Sequence, residues 1–96
     1  MDLFIFARFH AGAGQENAIA ITLREQVAAV RNEPGCMMIA AYRSIRDRQQ
    51  FWIHARWTDE AAFERHADAP LTQRFIARME SLTDQPPDVT RTQAIG

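Results

Sequence analysis

The twenty residues Phe51–Pro70, FWIHARWTDEAAFERHADAP, leave few folds open to this chain. Within them the side-chain period changes from two to about 3.6. Phe51, Ile53, Ala55 and Trp57 alternate with Trp52, His54 and Arg56, so Gln50–Thr58 reads as a strand with aromatic residues on both faces. Thr58 or Asp59 can then cap a helix over Asp59–Ala67, with Glu60 in the first turn, where the helix dipole favours an anion. On that helix Ala62, Phe63 and His66 share a face, which predicts an inward-pointing histidine. Asp68-Ala69-Pro70 interrupts the pattern.

The rest of the chain can be placed around this unit. Asp2–His10 reads as a strand with Leu3, Ile5, Ala7 and Phe9 on one face and Phe4, Phe6, Arg8 and His10 on the other. Its opening residues are apolar on both faces, which predicts cover on both sides. Gln15–Asn32 has helical spacing, with Ile19, Leu23, Val27 and Val30 in one stripe, and Asn32-Glu33-Pro34-Gly35 ends it. Cys36–Ile45 and Gln50–Thr58, joined by the polar turn Arg46–Gln49, form an antiparallel hairpin. A third helical segment, Leu71–Leu82, carries Leu71, Phe75, Met79 and Leu82 in one stripe. Thr83–Pro87 breaks it, and Asp88–Ile95 closes the chain as a strand with Val89, Arg91, Gln93 and Ile95 on one face.

The order β-α-β-β-α-β, with the second helix broken in two, predicts an α+β, ferredoxin-like fold: one antiparallel sheet with helices on one face. The opposite face then carries Phe4, Phe6, Trp52, His54 and Arg56. That surface is too apolar to leave in water, which predicts a homodimer in which it packs against the sheet of a second copy.

Ninety-six residues allow one domain, residues 1–96. A net charge of −1 gives no electrostatic footprint for nucleic acid or for an anionic membrane, so neither is an expected partner. No apolar run approaches the roughly 18 residues of a spanning helix, and the acidic start Met1-Asp2 is unlike a signal peptide. With one cysteine, Cys36, a cytoplasmic location fits best. The three histidines have neither H-x-x-x-H nor H-x-H spacing, so no metal site is expected.

An N-terminal strand, Glu33-Pro34-Gly35 before the second strand, Tyr42-Arg43-Ser44, a third strand ending in Trp57, then Asp59-Glu60-Ala61-Ala62-Phe63, His66 and Pro70 form an ordered set. That set resembles the antibiotic biosynthesis monooxygenase (ABM) domain over nearly the whole chain. The resemblance implies a dimeric α+β barrel with a pocket between sheet and helices. It also implies oxidation of electron-rich phenols or quinols by O₂ with no cofactor. Other members isomerise small metabolites, degrade haem or have no known activity. This chain departs from the family pattern at Ala55, where a Glu is common, and at Ile53 and Arg43, where quinone-forming members carry Asn and His. Ala7 and Phe75 stand where the haem-degrading branch has Asn and a haem-ligand His, which argues against haem.

Cofactor-free oxygenation needs aromatic walls, a base, and oriented donors for an anionic substrate. Trp57 can supply a wall and an indole N–H, or can be plain core. His66 can be a base near neutral pH, or a buried imidazole bonded to the loop around Pro70. Phe63 is a candidate substrate wall. Arg43 can hold a phenolate if the hairpin register turns it inward, or can be a solvated strand-end residue. Tyr42 can be a pocket donor or a core tyrosine. His54 belongs with the dimer face, and His10 lies at a strand end bordering either region. Two functions stay open: an ABM-type monooxygenase of a small electron-rich aromatic or quinol-like molecule, and a non-catalytic dimeric module (or a small-metabolite isomerase) of the same fold. A cavity of a few hundred Å³ touching Trp57 and His66 is what the first requires.

Overall fold

The computed structural model describes residues Met1–Gly96. In chain order the elements are β1 (Leu3–His10), α1 (Glu16–Val30), β2 (Cys36–Arg43), β3 (Gln50–Trp57), α2 (Glu60–Asp68), α3 (Pro70–Leu82) and β4 (Asp88–Thr92). The strands form one antiparallel sheet in the order β2-β3-β1-β4, the predicted ferredoxin-like arrangement. β2 and β4 end two and three residues earlier than their sequence patterns predict, at Arg43 and Thr92.

The breaks between elements follow from local chemistry. Asp59 caps α2, its Oδ1 accepting from the Ala62 N–H at 2.8 Å. Ala69 is extended because the following Pro70 ring disfavours helical backbone there, and Pro70 then opens α3 at the first position, where no N–H is missed. Gly35, at φ +88°, makes the tight turn from α1 into β2, and its carbonyl accepts from the Thr58 N–H at 2.9 Å.

The odd-numbered face of the sheet is the core. Ile5, Ala7 and Phe9 of β1, Ile39 of β2, and Phe51, Ile53, Ala55 and Trp57 of β3 are buried beneath the helices, together with Ile19, Leu23, Val27 and Val30 of α1. The α3 stripe differs from expectation. Leu71 is exposed, and Thr72 and Met79 are the buried residues. The helix starts at Pro70, and the rotation that seats Met79 in the core turns Thr72 inward one position after Leu71.

The even face carries no helix. Across it run the rows Met38–Arg56–Phe4–Thr92, Ala40–His54–Phe6–Thr90 and Tyr42–Trp52–Arg8–Asp88. Phe6 is 48% exposed and stacks on His54 at 4.6 Å, and Arg56 lies over Phe4 while bonding Asp2. Within one chain, β1 is therefore covered on one side only.

Candidate functional site

Between the core face of the sheet and α2, α3 and β4 lies a largely apolar cavity of about 470 Å³. Its floor is Ile5, Ala7, Ile53 and Ala55, and Phe9 and Phe75 meet edge to face at 6.2 Å on its wall. Trp57, Phe63 and His66 also line it. Their rings touch one another: Trp57 and His66 centroids are 4.8 Å apart, Trp57 and Phe63 5.9 Å, Phe63 and His66 5.7 Å. The end of β3 and the first two turns of α2 thus bring these three sequence candidates together.

Two polar atoms define the chemistry of this cluster. Trp57 is 1% exposed, and its Nε1–H has no acceptor in the protein. A buried donor of this kind normally finds a partner, which this one lacks within the chain. The His66 Nδ1 lies 2.9 Å from Glu33 Oε2, with Thr72 Oγ1 3.3 Å from the same nitrogen. A carboxylate only accepts, so Nδ1 carries the hydrogen, and in the neutral ring the lone pair is then on Nε2. His66 is therefore held by Glu33 in the turn after α1 and also meets Thr72, two residues after Pro70.

Arg43 and Tyr42 lie elsewhere. The hairpin register pairs Arg43 with Phe51 and Cys36 with Trp57. Arg43 does share the core face, with its guanidinium 4.9 Å from the Phe51 ring, but six strand positions separate Phe51 from Trp57, about 20 Å. Arg43 is not among the residues that line the cavity. Tyr42 pairs with Trp52 on the opposite, open face and is half exposed, so it meets neither the cavity nor the core. A one-residue change of parity separates the two faces completely. His10 is tied to Asp84 at 2.6 Å, with Asp47 3.7 Å away, and joins the β2–β3 turn to the segment after α3.

Three residues at or behind the cavity wall escaped the sequence reading as candidates. Arg91 of β4 lies over the Phe63 ring at 5.1 Å and bonds Glu60 and Glu64 at 2.8 and 3.0 Å. Its hydrogen bonds to Glu60 and Glu64 raise its pKa further and keep it charged. The alternating pattern of β4 already put Arg91 and Val89 on one face, which is the signal for it. Glu33 was visible as part of a helix stop and of the Glu33-Pro34-Gly35 motif, with no role at the cavity assigned to it. Gln26, buried in α1, sits seven residues after Ile19 on the apolar stripe, where a polar side chain is itself a signal. Cys36 is no nucleophile: burial, then the nearby Glu33 charge, push its thiol up and keep it protonated. No three His, Cys, Asp or Glu side chains are grouped to hold a metal ion, and no helix is long and apolar enough to cross a membrane.

Solved structures with this fold cover nearly the whole chain. Rv0793 from Mycobacterium tuberculosis matches at TM-score 0.92 and 21% identity, over 100% of this chain and 97% of that one. PA3566 from Pseudomonas aeruginosa matches at 0.90 and 27%, over 99% and 95%. A mutant of SnoaB, a cofactor-independent oxygenase from Streptomyces nogalater, matches at 0.88 and 17%, over 99% and 94%. No curated protein matches the sequence. The family model for antibiotic biosynthesis monooxygenase matches residues 3–78, most of the chain, and with the fold and the cavity in place the protein belongs to that family.

Proposed function

We propose that the protein is a cofactor-independent monooxygenase of a small, electron-rich aromatic or quinol-like molecule. The observation that carries this reading is a Glu33-anchored His66 on the wall of an apolar cavity, packed against a Trp57 whose N–H is unpartnered. In this mechanism Nε2 of His66 takes a proton from the bound substrate, and the carboxylate of Glu33 stabilises the imidazolium that forms. Trp57 Nε1–H donates to the oxygen that gains negative charge, in a site where apolar walls strengthen that bond. The carbanionic form passes one electron to O₂, the radical pair joins as a C–O bond, and loss of water leaves a carbonyl. The balance is CH₂ + O₂ → C=O + H₂O, with both hydrogens leaving in the water. Phe63 and Phe75 hold the flat ring by their faces and edges.

The predicted experiment is oxygen uptake with a panel of hydroquinones and anthrones in metal-free buffer. Wild type consumes O₂ with at least one member, and His66→Ala slows it about a hundredfold or more. The apolar residues Ala55 and Ile53 on the cavity floor favour a second reading, a module that binds such a molecule without oxidising it. No uptake with any member of the panel selects that reading.

The open sheet face supports a homodimer as the working form. Its apolar centre, Phe4, Phe6, Trp52 and His54 with Arg56 beside it, matches the face that a second copy would cover.

A further inference from the structure

Three polar side chains are buried in the core: Thr22, Gln26 and Thr72. Two of them have protein partners. The Thr22 hydroxyl donates to the Ala18 carbonyl at 2.8 Å and accepts from Arg78 Nε at 2.9 Å. The Thr72 hydroxyl lies 3.3 Å from the His66 ring nitrogen. Gln26 is different. Its residue is 6% exposed, it lines the apolar cavity, and its amide makes no hydrogen bond within the protein. The side-chain atoms that are both fully occluded and unpartnered belong to Arg43, Gln50, His54 and Trp57; the Gln26 amide is not among them and stays reachable from the cavity it lines. An amide with no protein partner on the wall of a mainly apolar cavity is placed to meet a bound molecule.

We infer that Gln26 reads an oxygen substituent of the molecule bound in the cavity. Its NH₂ can donate to a carbonyl or its oxygen can accept from a hydroxyl, so the ligand class is a flat, mainly apolar ring system bearing such an oxygen. Gln26 sits one turn before the end of α1 at Val30, while Glu33, the anchor of His66, belongs to the turn beyond that end. Because the rest of the lining is mainly apolar, this amide sets the preference for an oxygenated ring over its parent hydrocarbon. Gln26 is a specificity residue that binds and orients, with no step of proton or electron transfer assigned to it. The inference rests on the reading of the cavity as a substrate site.

The test compares 1-naphthol with naphthalene by equilibrium dialysis under nitrogen, so that no oxidation occurs, in wild type and Gln26→Met. Wild type binds both and favours naphthol. Gln26→Met reduces that preference about tenfold, mainly by weakening naphthol. The same variant melts close to the wild-type Tm, because the amide has no protein partner to lose. An equal preference in the two proteins overturns the inference, as does a wild type that binds neither compound. A lower Tm for Gln26→Met also overturns it, since the amide would then serve the fold. Gln26-dependent naphthol binding without oxygen uptake on any panel member keeps this inference and refutes the oxygenase. Uptake together with an unchanged preference does the reverse.

Discussion

His66 faces inward because it lies one turn beyond Ala62 and next to Phe63 on a helix whose charged residues, Glu60, Glu64, Arg65 and Asp68, fall off that stripe. That much is local and legible. Its hydrogen-bond partner is not, since Glu33 is 33 positions away and belongs to a turn that reads as a helix stop. The same turn explains Gly35. A Cβ there would stand 2.5 Å from the Ala62 Cβ, and the backbone at φ +88° disfavours any L side chain. Gly35→Ala is expected to destabilise the protein by at least about 2 kcal/mol, measured by urea unfolding. A change below about half a kcal/mol would show that the close approach to α2 is slack. Trp57 and Phe63 were legible by period alone, because a strand residue of odd parity and a helix residue on the apolar stripe must both face the core.

At the scale of the element, α2 presents both Phe63 and His66 to the cavity, and Asp59 holds its first turn. Asp59→Ala is expected to cost about 1 kcal/mol of stability, with Asp59→Ser retaining most of it, in thermal or chemical unfolding. Equal stability of all three proteins would mean that packing, and not the cap, sets the helix start. The hairpin shows where element reading stops. Sequence left open whether the register turns Arg43 to the face of Trp57, and parity says nothing of position along the strand. The pairing of Arg43 with Phe51, and the irregularity between Cys36 and Met38, put it at the far end of β3. Leu71 failed for a related reason: apolar type alone cannot tell which of two adjacent residues a helix turns inward when both Thr72 and Leu71 lie near the stripe edge.

At the scale of the whole molecule, the helices leave one sheet face uncovered, with Phe6 about half exposed at its centre. A homodimer through that face is expected in sedimentation at micromolar concentration, and Phe6→Glu is expected to give a folded monomer with unchanged far-ultraviolet circular dichroism. A monomeric wild type would sink the sheet-to-sheet arrangement while leaving the cavity untouched, because the two lie on opposite sides of the sheet. This separation also sorts the histidines: His54 belongs to the open face, His66 to the cavity, and His10 to neither.

The sequence by itself determined the element order, the faces of β1 and β3, the apolar stripe of α1 and the inward turn of Phe63 and His66. These follow from side-chain periods of two and 3.6, which act over a few residues. Only the tertiary structure decided the hairpin register that takes Arg43 and Tyr42 away from the cavity, the Glu33 contact that orients His66, and the place of Gln26 on the cavity wall. Each of these depends on segments distant in the chain meeting at one place. A local period carries no information about which residues will meet there.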